Sequence, residues 1–213
     1  MESYWNFEVV RDFNVIWSSS FLRRWQQLLD SSEDKNNCFT IQRVCEWLEK
    51  EREAFGRSGK LNVFFTIGTQ KEDSSQAFMP FVIEKNNIFK RGVTVMKIAG
   101  CENGDLHDPL FVGKEYQREF HEDYYRELSL LLQAEKHVDK IIIDGLSEPI
   151  LGQQFYCDEQ KMPQALSDKI PPFRKAFDNG CVGNIYNMVY YRDTIISEWR
   201  GHKKQEVKAL LGT

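Results

Sequence analysis

One short stretch gathers side chains able to move protons. The segment GCENGDLHDPLF (100–111) carries Asp105, His107 and Asp108 within four residues. Two carboxylates and an imidazole this close can take a proton from an amine or a hydroxyl. The same residues also suit a plain turn, in which Asp side chains accept hydrogen bonds from their own backbone. The residue types alone fit either. Further along, Tyr190 and Tyr191 offer a phenol that could protonate a leaving group, or simply a buried core tyrosine.

Other chemistries lack their residues. A His107-Asp108 metal-hydrolase pair needs further ligands and is usually held on a helix, and Pro109 disfavours helix at Asp108. His121 and His137 are sixteen apart, not at the i, i+4 spacing of a helical metal pair. No metal is therefore expected. GRSGK (56–60) has two residues between its glycines and Leu61 after the lysine, so it predicts a helix end and turn rather than a phosphate loop. Neither a G-x-S-x-G elbow nor a G-x-G-x-x-G fingerprint occurs.

Composition narrows the class. Of 213 residues, 41% are apolar, 28% charged and 13% aromatic, enough bulk for a packed core. A net charge of −4 argues against binding by phosphate neutralisation, so no nucleic-acid partner is expected. No apolar run approaches the ~18 residues of a membrane span. MESYWNFEVVRDF has no basic-then-apolar leader pattern. The five cysteines show no C-x-x-C and predict reduced thiols in a cytoplasmic protein.

The elements that must position the acidic loop follow from periodicity. FEVVRDFNV (7–15) predicts a first strand. Trp17, Phe21, Trp25 and Leu28 recur at helical spacing behind the caps Ser18 to Ser20. Thr40 caps a second helix with an apolar stripe of Val44, Trp47 and Leu48. LNVFFTIG (61–68), AFMPFVIEK (77–85) and VTVMKIAG (93–100) predict an antiparallel meander, with Pro80 marking a bulge or an edge. A long helix over 115–136 and a strand over 140–144 add a crossover, hence an α/β (α+β) mixed sheet. Prolines fragment 147–180. A strand over 185–191 and a basic helix over 192–213 close the chain.

The order of these landmarks resembles the N-terminal half of the CelD-like (BioF-like) acetyltransferases of the GNAT superfamily. The matching residues are Trp17, Phe21 and Trp25; Cys38-Phe39-Thr40 leading to Trp47; the LNVFFTIG–AFMPFVIEK hairpin with Pro80; KIAG ahead of Asp105-Leu-His107-Asp108-Pro-Leu; and SEWRGHKK (197–204). The resemblance spans roughly 17–211 and is weakest over 150–185. It implies a single GNAT-like domain over 1–213, a largely antiparallel sheet flanked by helices, with 192–213 as a connector to a second unit. It implies transfer of an acyl group from acyl-CoA to an amine or hydroxyl acceptor, such as a sugar or amine in polysaccharide or cell-envelope biosynthesis. Asp105 or Asp108, alone or with His107, would then deprotonate the acceptor, and Tyr190 or Tyr191 would protonate the thiolate. The chain departs from the pattern in having no Arg/Gln-x-x-Gly-x-Gly/Ala loop for the CoA pyrophosphate. That departure keeps a second expectation alive: a non-catalytic module that pairs with a partner domain or with itself.

Overall fold

A computed structural model describes residues 4–32, 38–55, 59–86, 94–100, 107–113, 118–146, 173–182 and 185–192. The sequence alternation builds strands β1 (Trp5–Val10), β2 (Gly59–Gln70), β3 (Gln76–Asn86), β4 (Thr94–Ile98), β5 (Leu110–Val112), β6 (Lys140–Leu146), β7 (Phe173–Val182) and β8 (Ile185–Arg192). The helices are α1 (Phe13–Ile16), α2 (Ser19–Ser31), α3 (Ile41–Phe55) and α4 (Arg118–Gln133). The strands form one sheet in the order β1-β2-β3-β4-β6-β8-β7, with β5 paired to β3 off that path. Among the described pairings, only β4 and β6 run parallel. The fold is thus a mixed α+β domain whose sheet is largely antiparallel and flanked by helices.

Alternation along the strands sends side chains to two covered faces. On one face, Trp25 of α2 meets Phe78 at 4.9 Å and Phe65 at 5.7 Å between ring centroids. Its indole N–H donates to the Phe39 carbonyl at 3.0 Å, so this buried ring keeps its polar atom satisfied. On the other face, Tyr124 of α4 lies edge-on to Trp5 at 5.0 Å and to Phe111 at 5.2 Å. Burying each such side chain contributes on the order of 1.5–3 kcal/mol. Ser18 caps α2 by accepting the Phe21 N–H, and the Thr40 hydroxyl accepts the Arg43 N–H at the head of α3.

Several boundaries differ from the sequence expectation. The first strand begins at Trp5 and stops at Val10; the apolar FNVI that prolonged the pattern is the helical turn α1, capped by Asp12. FRKAFDNGCV, within the stretch left without pattern, is strand β7. Pro80 lies at neither an edge nor a bulge. It sits inside β3 opposite Phe65, at the level where the neighbour of β3 changes from β4 to β5. The Pro80 carbonyl accepts the Ala99 N–H, so its ring nitrogen faces the same side, into the interval between β4 and β5 where no ladder donor is needed. Of the basic helix expected over 192–213, Arg192 is instead the last residue of β8, and the rest lies outside the described residues.

Candidate active site

The parallel pair defines the place to look. β4 and β6 are in register at Val95–Lys140, Met96–Ile141 and Lys97–Ile142, where their ladder ends. β4 turns its last bonds toward β3, through Phe81–Ile98 and Ala99 N–H to Pro80, while β6 continues to Leu146. Loops beyond the carboxyl ends of parallel strands commonly hold ligands, because backbone groups there lack ladder partners.

The acidic loop crosses this ladder end. The His107 N–H donates to the Gly145 carbonyl at 2.6 Å, tying the loop to β6. Three residues later β5 begins, and it pairs with Gln76–Phe78 of β3, beyond the last rung that β4 makes. Residues 107–112 therefore run from β6 across the end of β4 to β3. His107 is buried at 6% exposure, Leu110 is fully buried, and Asp108 is half-buried. Two left-handed glycines bracket the excursion. Gly100 (φ +87°) abuts Val44 of α3, and Gly113 (φ +118°) abuts Ser75 at the β2–β3 hairpin. A Cβ at either would lie 3.0 Å or less from the neighbour's backbone.

His107 and Asp108 stand at the ladder end, and Asp105 lies outside the described residues. Tyr190 is on β8, opposite Ile141 on one side and Lys175 on the other; its side chain lies outside what is described. Ile141 is four residues before Gly145 on β6, about 13 Å along a strand. Tyr190 therefore belongs to the level of the last parallel rungs rather than to that of His107.

A second group at the same level was not foreseen. Glu84 of β3 and Lys97 of β4 form an ion pair on the sheet face beneath α3. Glu51 of α3 approaches the Lys97 ammonium at 3.7 Å, and the Trp47 ring centroid lies 5.1 Å from it. Trp47 and Glu51 are one helical turn apart, which places both on the face of α3 that covers Lys97. Glu84 is buried, and desolvation pushes its carboxyl above the usual range; the Lys97 hydrogen bond and charge oppose that shift, and Glu51 adds to it. The signal was available in AFMPFVIEK and MKIAG, where Glu84 and Lys97 are charged positions within otherwise apolar strands. Trp47 was expected to be plain core.

Other thiols and metal ligands add nothing to this place. Burial, followed by the charge of Glu49, pushes the Cys45 thiol up to about 11, so it stays protonated and unreactive. Among the described residues, no group of three His, Cys, Asp or Glu side chains is arranged to hold a metal ion. No described helix is long and apolar enough to cross a membrane.

No protein-family profile matches the chain, and no curated protein does.

Proposed function

We propose that this chain is a GNAT-like domain that handles an acyl thioester, either as an acyl-CoA-dependent N- or O-acyltransferase or as the substrate-binding half of one. One observation carries the reading: among the described pairings a single parallel pair, β4 and β6, ends its ladder at Lys97–Ile142 where β4 stops and β6 runs on to Leu146, inside an otherwise antiparallel sheet. In GNAT folds a gap at such a place receives the pantetheine arm. A thioester carbonyl placed there would find strand-end N–H groups for its developing oxyanion. Asp108, half-buried beside that ladder end, and Asp105 are the candidates to take the acceptor's proton, with Tyr190 as the phenol for the thiolate. The landmarks shared with CelD-like proteins support the same assignment.

A specific feature favours a second reading, a non-catalytic module. Residues 107–112 occupy the space beyond β4, and Leu110 belongs to the core. A pantetheine arm lying in the plane of the sheet would have to share that space.

Isothermal titration with acetyl-CoA separates the two. Saturable binding, abolished by coenzyme A in excess, is expected for the acyl-thioester reading. No heat at millimolar acetyl-CoA, together with a stable dimer by size-exclusion chromatography with light scattering, would establish the module instead.

A further inference from the structure

We propose that the docking of α3 on the sheet is a pH-sensitive latch, closed while Glu84 carries a proton and loosened when Glu84 ionises. The latch acts on the start of the acidic loop. It holds equally for an acyltransferase and for a non-catalytic module.

One face of α3 meets the sheet. Val44, Trp47, Leu48 and Glu51 recur at spacings of three and four, which puts them on that face. Val44 and Leu48 are fully buried, and Trp47 and Glu51 are half-buried. The two aliphatic contacts are indifferent to pH. The remaining contact is charged. Lys97 of β4 pairs with Glu84 of β3, lies 3.7 Å from the Glu51 carboxylate and stands over the Trp47 ring at 5.1 Å. Three elements thus share one ammonium.

The balance of charge sets the direction of the response. Two carboxylates face one lysine, so the group holds an excess negative charge when both are ionised. The charged groups facing Glu84 are Glu51 from α3 and Lys97 from β4; β2 and β4 place Leu61 and Val95 directly opposite it, and neither titrates. Burial raises the Glu84 carboxyl most, Lys97 opposes the rise, and Glu51 adds to it. Glu51 belongs to α3, and α3 covers this face of the sheet. Lys97 belongs to β4 and stays beside Glu84 when the helix lifts. An ionised Glu84 therefore gains water and loses a like charge when α3 lifts, whereas a protonated Glu84 gains neither. Docking of α3 is fullest below the ordinary carboxylate range and weakens as pH rises through the raised docked value.

The same helix face reaches the acidic loop. Val44 abuts Gly100, the left-handed residue at which the chain leaves β4, and the preceding Ala99 N–H donates to the Pro80 carbonyl. Lifting α3 removes the wall of that turn. Ionisation of Glu84 is thereby passed to the place where the loop carrying His107 and Asp108 begins.

Amide hydrogen exchange of the full chain, read residue by residue from about pH 5 to about pH 8 and corrected for intrinsic rates, tests the latch. Protection of the Trp47 and Leu48 amides should fall as pH rises, by at most about tenfold per pH unit for one proton. The Phe64 and Phe81 amides, in the β2–β3 ladder, should hold, and Ala99 should follow α3. Glu84→Gln should keep α3 protected across the range, and Glu51→Gln should shrink the loss. A wild-type α3 that loses no protection relative to β2 and β3 overturns the latch, as does a full loss retained in Glu84→Gln. An undiminished loss in Glu51→Gln does the same, and decides the matter where Glu84→Gln does not fold. If α3 responds and Ala99 does not, the link to the loop is overturned.

Discussion

The His107 N–H and the Gly145 carbonyl meet at 2.6 Å, and this bond ties the acidic loop to the end of β6. Gly145 has φ +80°, and the two glycines that bracket the loop, Gly100 and Gly113, are left-handed as well. All the positive-φ glycines among the described residues therefore serve one excursion: its start, its anchor and its finish. Backbone conformation, more than side-chain packing, sets where His107 and Asp108 stand.

Gly100→Ala and Gly113→Ala test that relationship. A side chain in the left-handed region costs ~1–2 kcal/mol by itself. Here the added Cβ would also lie 2.5 Å from Val44 Cγ2 or 2.3 Å from Ser75 Oγ. Urea denaturation should show a loss of at least that left-handed penalty for each variant. Wild-type midpoints for both would mean that the loop is not held by these turns.

Part of this arrangement is legible in the residues and part is not. LNVFFTIG and AFMPFVIEK declare β2 and β3 because β-branched and aromatic residues fit a pleated, covered surface. The short turn KEDSSQ makes their antiparallel pairing the default. The end of β1 is harder, since FNVI is equally apolar as strand or helix, and only the Asp12 cap decides it. Pro80 is misleading because its tolerance depends on which strand lies alongside, a property of the sheet and not of the local sequence. Strand β7 is hidden by charged and small residues that break alternation in FRKAFDNGCV. The loop of 100–111 stands out by composition, but the burial of His107 depends on the long-range bond to Gly145. Glu84, Lys97, Trp47 and Glu51 come from three elements, and no spacing in the chain announces that they meet.

Glu84 makes stability depend on pH in a definite direction. Its carboxyl is raised in the folded chain, first by burial, so folding favours the protonated form. The stabilising contribution is complete below the ordinary carboxylate range and is lost as pH rises through the raised folded value. Guanidinium unfolding of wild type and Glu84→Gln at a series of pH values isolates it. The stability of the wild type relative to the variant should decline from pH 4.5 upward. A difference that stays flat, or grows in favour of the wild type, contradicts the raised carboxyl.

Glu127 governs the first strand. Its carboxylate accepts the Tyr4 N–H at 2.6 Å and the Trp5 N–H at 3.1 Å, joining α4 to the start of β1. Arg11 and Glu135 make a second link at the other end of the strand, with Arg11 Nη1 donating to Glu135 Oε2 at 2.9 Å. Arg11 is about half exposed (51%), and such surface pairs contribute only ~0–1 kcal/mol. Hydrogen bonds to a charged acceptor are worth ~1.5–3 kcal/mol. Glu127→Ala should therefore speed amide hydrogen exchange at Tyr4 and Trp5 more than Glu135→Ala does at Arg11. Equal protection in both variants would show that β1 is held by its pairing with β2 alone.

His107 and Asp108 are neighbours with different expected roles. His107 is buried and its backbone is bonded to β6, so replacing its ring removes packing around the end of the β4–β6 ladder. His107→Ala should cost ~2 kcal/mol or more in urea denaturation, in line with truncation of a large buried side chain. Asp108 is half-buried, and Asp108→Asn keeps its shape, so its unfolding free energy should stay within ~0.5 kcal/mol of wild type. If Asp108 takes part in proton transfer, thiol release from acetyl-CoA should fall in Asp108→Asn at unchanged stability. Pairing the two measurements separates a residue that holds the loop from one that acts on a substrate. A destabilised Asp108→Asn with unaltered turnover per folded molecule would assign both neighbours to structure.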